Sequence, residues 1–124
     1  MKIRRFEEMK VWQDSREFTN SVYKLTAIVP FKRDFGLKDQ IQRASVSVMS
    51  NIAEGYERDN ARDFVRFLLY SKASIGEARS LLCVASDLSY ISIDQYQQMT
   101  ALAVAISTQI ANFIKYLRST SARK

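Results

Sequence analysis

Apolar and small residues recur along this chain at alternating steps of three and four, in four stretches separated by short breaks. That is the period an α-helix imposes. The first stretch carries Val11, Ser15, Phe18, Val22, Leu25 and Val29, and the second Leu37, Ile41, Ala44, Val48 and Ile52. The third runs Phe64, Leu68, Ser71, Ile75, Ala78, Leu82 and Ala85, and the fourth Tyr96, Met99, Ala103, Ile106, Ile110, Phe113 and Leu117. Pro30 and Gly36 bracket the first break, Gly55 to Asn60 the second and Ser89 to Ser92 the third. The pattern predicts helices over roughly 10–29, 36–57, 61–88 and 93–119. Three Gly and one Pro in 124 residues are too few for a turn-rich sheet protein or a Gly-rich phosphate loop.

Capping chemistry marks two of the starts. Asn60 precedes Asp63 by three residues, and Ser92 precedes Gln95 by three. In each case a short polar side chain can take an orphan backbone N–H while its partner reaches back. The connections are short, so sequential helices pack antiparallel and match in length. Residues 1–124 therefore read as one all-α domain, an antiparallel up-down-up-down four-helix bundle.

The fourth segment has more apolar surface than one seam needs, adding Leu102, Val104, Ala105 and Ile114 with no charge before Lys115. This second face reads as a subunit interface or as scattered surface apolar residues. It does not read as a membrane span, because residues 95–114 hold eight amides and hydroxyls, at Gln95, Gln97, Gln98, Thr100, Ser107, Thr108, Gln109 and Asn112. The opening MKIRRFEEMKVW lacks the apolar core of a secretion signal, so a cytoplasmic location and no membrane partner are expected.

The chain has no His and a single Cys, which removes the usual acid–base shuttle, the commonest metal ligand, an internal disulfide and Cys-rich metal sites. No catalytic residue, metal or cofactor is expected. The formal charge of +6 is uneven. Residues 1–36 and 91–124 each carry a net +3, while 37–60 carry −1 and 61–90 carry +1. A field of this kind draws in nucleic acid or another acidic partner. It also serves solubility alone.

One constellation spans the second and third segments. Arg43, Ser47, Ser50 and Glu54 share one helix face, and Arg66, Tyr70, Ala73 and Glu77 repeat the spacing. In an antiparallel hairpin, residues face each other when their numbers sum to a constant. Arg43 with Glu77 and Glu54 with Arg66 share one such constant. Two readings compete: interhelical ion pairs that set register, or a carboxylate pair for metal or acid–base work. The register puts Glu54 and Glu77 two to three turns apart, too far for shared chemistry. Di-metal bundles also need His. The structural reading is preferred. The small residues Ala44, Ser45, Ser47, Ser50, Ala53 and Gly55 permit close helix approach, Cys83 reads as a small buried hydrophobe, and Trp12 as a buried anchor.

These residues also carry a resemblance. Phe6-Glu7-Glu8-Met9-Lys10-Val11-Trp12, then Phe35-Gly36-Leu37, Gln40 to Ser47, and Ser50-Asn51-Ile52-Ala53-Glu54-Gly55 resemble a bacterial four-helix-bundle family. Its members include proteins encoded by intervening sequences within large-subunit ribosomal RNA genes. Phe64, Arg66-Phe67-Leu68, Ala73-Ser74 and Glu77 follow at family spacing, and Met49 stands where the family usually has proline. The resemblance implies a ring-like homopentamer without established catalytic activity, and a role in binding RNA or another nucleic acid. It further implies a likeness in fold to the basic accessory proteins of diversity-generating retroelements.

Two functional readings follow. In the first, a non-enzymatic oligomer binds nucleic acid, mostly through phosphate, with Arg4, Arg5, Arg58, Arg62, Lys115 and Arg118 as the candidate contacts. No aromatic–basic RNA-binding motif is visible along the chain. In the second, the bundle is a protein-interaction scaffold or accessory subunit, for example of a reverse transcriptase, and touches no nucleic acid.

Overall fold

The computed structural model describes residues 3–122. A 3₁₀ turn over Phe6–Glu8 leads into α1 (Lys10–Thr26), and a second over Phe31–Arg33 leads into α2 (Phe35–Glu57). Then come α3 (Ala61–Asp87) and α4 (Ile93–Ala122). Each helix packs on its neighbours in sequence, and α1 closes the ring against α4. The result is an antiparallel up-down-up-down four-helix bundle.

The helical period selects the core. Phe18, Val22, Ile41, Val48, Ile52, Leu68, Ile75, Leu82, Ile106 and Ile110 are fully buried, and one continuous cluster draws on all four helices. Trp12 joins it, stacked edge-on against Phe6 at 5.2 Å. Val29 does not. The α1 helix stops at Thr26, and Val29 is 52% exposed. Pro30 limits the helix, since it has no N–H to give the Thr26 carbonyl and disfavours helical backbone at Val29. The freed end is closed by Thr26, whose hydroxyl donates to the Val22 carbonyl at 2.9 Å and accepts from the Gln42 amide at 2.9 Å.

Both helix starts read from the sequence are capped. The Asn60 side chain accepts from the Asp63 N–H at 2.8 Å. Ser92 and Gln95 form a reciprocal box, with Gln95 N–H donating to Ser92 Oγ at 3.1 Å and Ser92 N–H to Gln95 Oε1 at 2.8 Å. A third cap went unread. Asp34 accepts from the Leu37 N–H at 3.1 Å and also takes the Tyr90 hydroxyl at 2.9 Å, which ties the start of α2 to the α3–α4 turn. The C-terminus of α3 closes without glycine. Ser89 adopts φ 59°, with Ser89 N–H on the Ser86 carbonyl and Tyr90 N–H on that of Ala85, the paired bonds of a Schellman motif.

The α2–α3 contact is close because the facing residues are small. Ser71 donates to the Val48 carbonyl at 2.7 Å, Ser47 and Ser74 share a hydroxyl hydrogen bond of 2.8 Å, and Gly55 lies under Phe64 and Phe67. From the other side, the Thr19 hydroxyl donates to the Ser45 carbonyl at 3.0 Å. That carbonyl is the one a proline at position 49 would leave without its in-helix donor.

Here two expectations are corrected. Ser47–Ser74 and Ser71–Val48 place the hairpin within one residue of the register read from the sequence. The interhelical pairs Arg43–Glu77 and Glu54–Arg66 nonetheless do not form. Arg43 pairs with Asp39 at 3.0 Å, Glu54 with Arg58 at 3.5 Å and Arg66 with Asp63 at 3.6 Å, each within or beside its own helix, while Glu77 has no ion-pair partner among the described residues. These side chains lie exposed on the outer flanks of the seam. In water either pairing gains little, so the partner three or four residues away, already positioned by the helix, is taken. Cys83 is likewise exposed, not buried: it sits one position past the buried Leu82, in the outer α3–α4 groove, with its sulfur 3.3 Å from the Tyr96 hydroxyl.

On α4, Ile114 is spent on the core and Leu102 is half-buried, whereas Val104 and Ala105 remain exposed. The second apolar face is therefore narrower than the sequence suggests. No helix among the described residues is long and apolar enough to cross a membrane.

Candidate nucleic-acid interface

The bundle's topology brings three distant pieces of chain to one end. The Tyr56 hydroxyl, in the last turn of α2, donates to the Ile3 carbonyl at 3.2 Å. Phe64, in the first turn of α3, packs on Phe113 of α4 with ring centroids 5.1 Å apart. An open depression of ≈ 560 Å³ lies between the α2–α3 turn and Leu117. Chain start, turn and α4 C-terminal half therefore share this end, and with them all six candidate cations.

Their surroundings differ. Arg4 offers its backbone N–H to Glu8 at 3.3 Å, and the Arg5 side chain lies 3.7 Å from the same carboxylate. Arg58, at the C-cap of α2, is shared with Glu54. Arg62, Lys115 and Arg118 are exposed, with no carboxylate within ion-pair distance among the described residues. Glu57 and Asp59 line the depression itself, which makes its floor a poor seat for phosphate. The available cations share the end with it but do not line it.

A feature missed in the sequence lies on the α2–α3 flank of this end. The guanidinium carbons of Arg58 and Arg66 sit 4.9 and 4.8 Å from the centroid of the Phe67 ring. Tyr70 meets the same ring edge-to-face at 5.8 Å and is 49% exposed. Arg66, Phe67 and Tyr70 are close in sequence, but Arg58 joins them only through the hairpin, so no linear motif announces the cluster.

Beside this end, an open apolar groove of ≈ 440 Å³ runs between the chain start and α4, with Ile3, Met9, Phe113 and Tyr116 in its wall. At its edge Asp14 accepts from Lys10 at 2.7 Å and from the Gln109 amide at 2.8 Å, linking α1 to α4. Burial pushes the Asp14 carboxyl up, but the hydrogen bonds from Lys10 and Gln109 and the Lys10 charge outweigh it, holding the group below the usual carboxylate value. Among the described residues no three His, Cys, Asp or Glu side chains group to hold a metal ion.

The family model of the 23S rRNA-intervening sequence protein matches residues 7–112. The chain belongs to that family. The chain is also similar to a crystal structure of a protein of unknown function, from the S23 ribosomal protein family of Bacteroides thetaiotaomicron. The TM-score is 0.77 at 25% identity, over 85% of this chain and 98% of that one. No curated protein matches the chain. The matched region takes in Arg58, Arg62, Arg66, Phe67 and Tyr70, and leaves Lys115 and Arg118 beyond its end.

Proposed function

We propose that this protein is a non-enzymatic, oligomeric bundle that binds RNA or another nucleic acid through its basic end. One observation carries the reading: cations from the chain start, the α2–α3 turn and the end of α4, far apart in sequence, converge on one end of the bundle. Arg62, Lys115 and Arg118 supply charge not matched by a carboxylate among the described residues, suited to phosphate. Family membership lends support, since the family is named for intervening sequences in ribosomal RNA.

Self-association is part of the same reading. Val104 and Ala105 leave an uncharged, partly apolar strip on the outside of α4, and the family resemblance implies a pentamer. Assembly multiplies the +6 of one chain and turns a modest patch into a strong field. A cytoplasmic location, where nucleic acid is at hand, belongs to this reading too.

Titrating labelled structured RNA at rising salt tests it. Affinity should fall steeply with salt as counterions are released. No binding at low salt, or binding indifferent to salt, would refute it.

A second reading, as a protein scaffold or accessory subunit of a polymerase such as a reverse transcriptase, is favoured by the opposite end. There Ile28, Val29, Phe35, Leu88 and Ile93 are 51–72% exposed on the two connections that the Phe31–Tyr90 stack holds together. A partner complex that survives nuclease treatment would favour it.

A further inference from the structure

We propose that Arg58, Arg66 and Tyr70, gathered around Phe67, form a stacking surface for unpaired nucleobases, so that the protein takes single-stranded nucleic acid in preference to duplex. The inference rests on the nucleic-acid reading above and sharpens it.

Phe67 is itself 7% exposed and serves as the floor. Each guanidinium lies against that ring within 5 Å, close enough for its planar face to rest on the aromatic one. The side chains of Arg58 and Arg66 nonetheless keep 46% and 48% of their surface in water. A guanidinium with one face on a ring keeps its other face open to water, and here a carboxylate meets its edge only at Nη2. The free face can stack a base, and the edge can reach a phosphate.

Holding two like charges against one ring is costly unless something answers them. Glu54 and Asp63 answer only loosely, at 3.5 and 3.6 Å, beyond good hydrogen-bond length for a charged pair. The cluster is thus pre-organised by Phe67 but not saturated by carboxylates. Pre-organisation of this kind lowers the ordering cost of binding.

Tyr70 extends the surface. Its ring stands 89° to that of Phe67, and about half of the residue is in water. Arg62, Arg66 and Tyr70 succeed one another at steps of four along α3, about 6 Å per step. A strand whose bases are splayed apart can follow such a ladder, with phosphate at Arg62 and bases at Arg66 and Tyr70. A duplex cannot, because its base faces are already stacked on one another.

The experiment compares fluorescence anisotropy of labelled single-stranded RNA, single-stranded DNA of the same sequence, and the RNA duplex, each across a salt series. The single strands should bind more tightly than the duplex. Tyr70→Leu should weaken single-strand binding about 5- to 150-fold, the value of one stacked base, without changing the salt dependence. Tyr70→Phe should restore it. Arg58→Gln should weaken binding and also reduce the salt slope by about 0.7. If RNA and DNA strands bind alike, the bases alone are read; if RNA binds better, the ribose hydroxyl contributes, and either result sustains the inference. Duplex binding as tight as single-strand binding, with Tyr70→Leu unchanged, would overturn it while leaving phosphate binding by the basic end intact. Failure of the unaltered protein to bind any of the three would instead remove the reading on which it rests.

Discussion

Gly55 and Phe67 approach so closely that a Cβ built on Gly55 would stand 2.8 Å from the Phe67 Cβ and 2.9 Å from Phe64 Cδ1. Real Cβ atoms do not stand at that separation, and the Phe67 Cβ, fixed to its own backbone, cannot swing aside even if the Phe64 ring turns away. The glycine lets α2 and α3 close together, and so brings Arg58 to the Phe67 ring.

Gly55→Ala should therefore destabilise the fold by about 1–3 kcal/mol through overpacking, despite the better helix propensity of alanine. Gly76→Ala is the control. Its added Cβ would meet nothing within 4 Å, so it should stabilise by roughly 0.5–1 kcal/mol. Denaturant unfolding of the two variants checks both signs. Equal stability gains would refute the close approach.

Ser89 occupies a left-handed conformation at the end of α3 without being glycine. Ser89→Gly should relieve roughly 1 kcal/mol of backbone strain and raise the thermal midpoint, since the Schellman bonds use only main-chain atoms. A fall in the midpoint would show that the serine side chain matters there.

Asp14 connects α1 to α4 through Gln109 and pairs with Lys10 within α1. Its folded pKa lies below the ordinary value of 3.8, so the unfolded chain binds the proton more readily. The stability it confers is accordingly full above about pH 4 to 5 and is lost as pH falls through the folded value. Asp14→Asn should cost about 1 kcal/mol at pH 7, and the gap to the unaltered protein should narrow at pH 3. Paired urea titrations at the two pH values measure it. A gap that widens in acid would reverse the sign and refute the assignment.

Arg62→Gln, Lys115→Gln and Arg118→Gln should each reduce RNA affinity and lower the salt slope by about 0.7–0.9, with little effect on stability. Arg79→Gln removes the same charge about 25 Å further along α3 and should leave the slope close to that of the unaltered protein. Equal losses at all four positions would point to net charge in place of a localised surface.

Cys83 should react with a thiol reagent in the folded protein, without denaturant, because its residue is exposed beside Tyr96. Resistance to modification until unfolding would mean that assembly or packing covers it.

Local patterns carried much of this protein. The step of three and four marked the fully buried Phe18, Val48, Leu68 and Ile106, because a regular helix translates spacing into direction. The polar pairs Asn60–Asp63 and Ser92–Gln95 marked two helix starts for the same reason. Asp34 was not read as a cap, because the Phe-Gly pair that follows it does not look like a helix start. Ser89 was not legible as a left-handed terminus, because the conformation comes from the main-chain bonds and not from its residue type. Arg43 and Glu77 were placed in the right register and still misassigned. Spacing gives position along a helix but not the competition from Asp39, which the exposed Arg43 side chain reaches at no extra ordering cost.

The sequence alone determined four amphipathic helices, their order, the absence of His and of paired cysteines, and a surplus of positive charge at the two chain ends. The up-down order already puts those ends and the α2–α3 turn at one end of the bundle; only the tertiary structure decided which of them touch, since lateral neighbourhood depends on which helices close the ring. It also decided that Arg58 reaches Phe67. That contact needs two helices packed at glycine distance, and no linear spacing encodes the depth of such an approach.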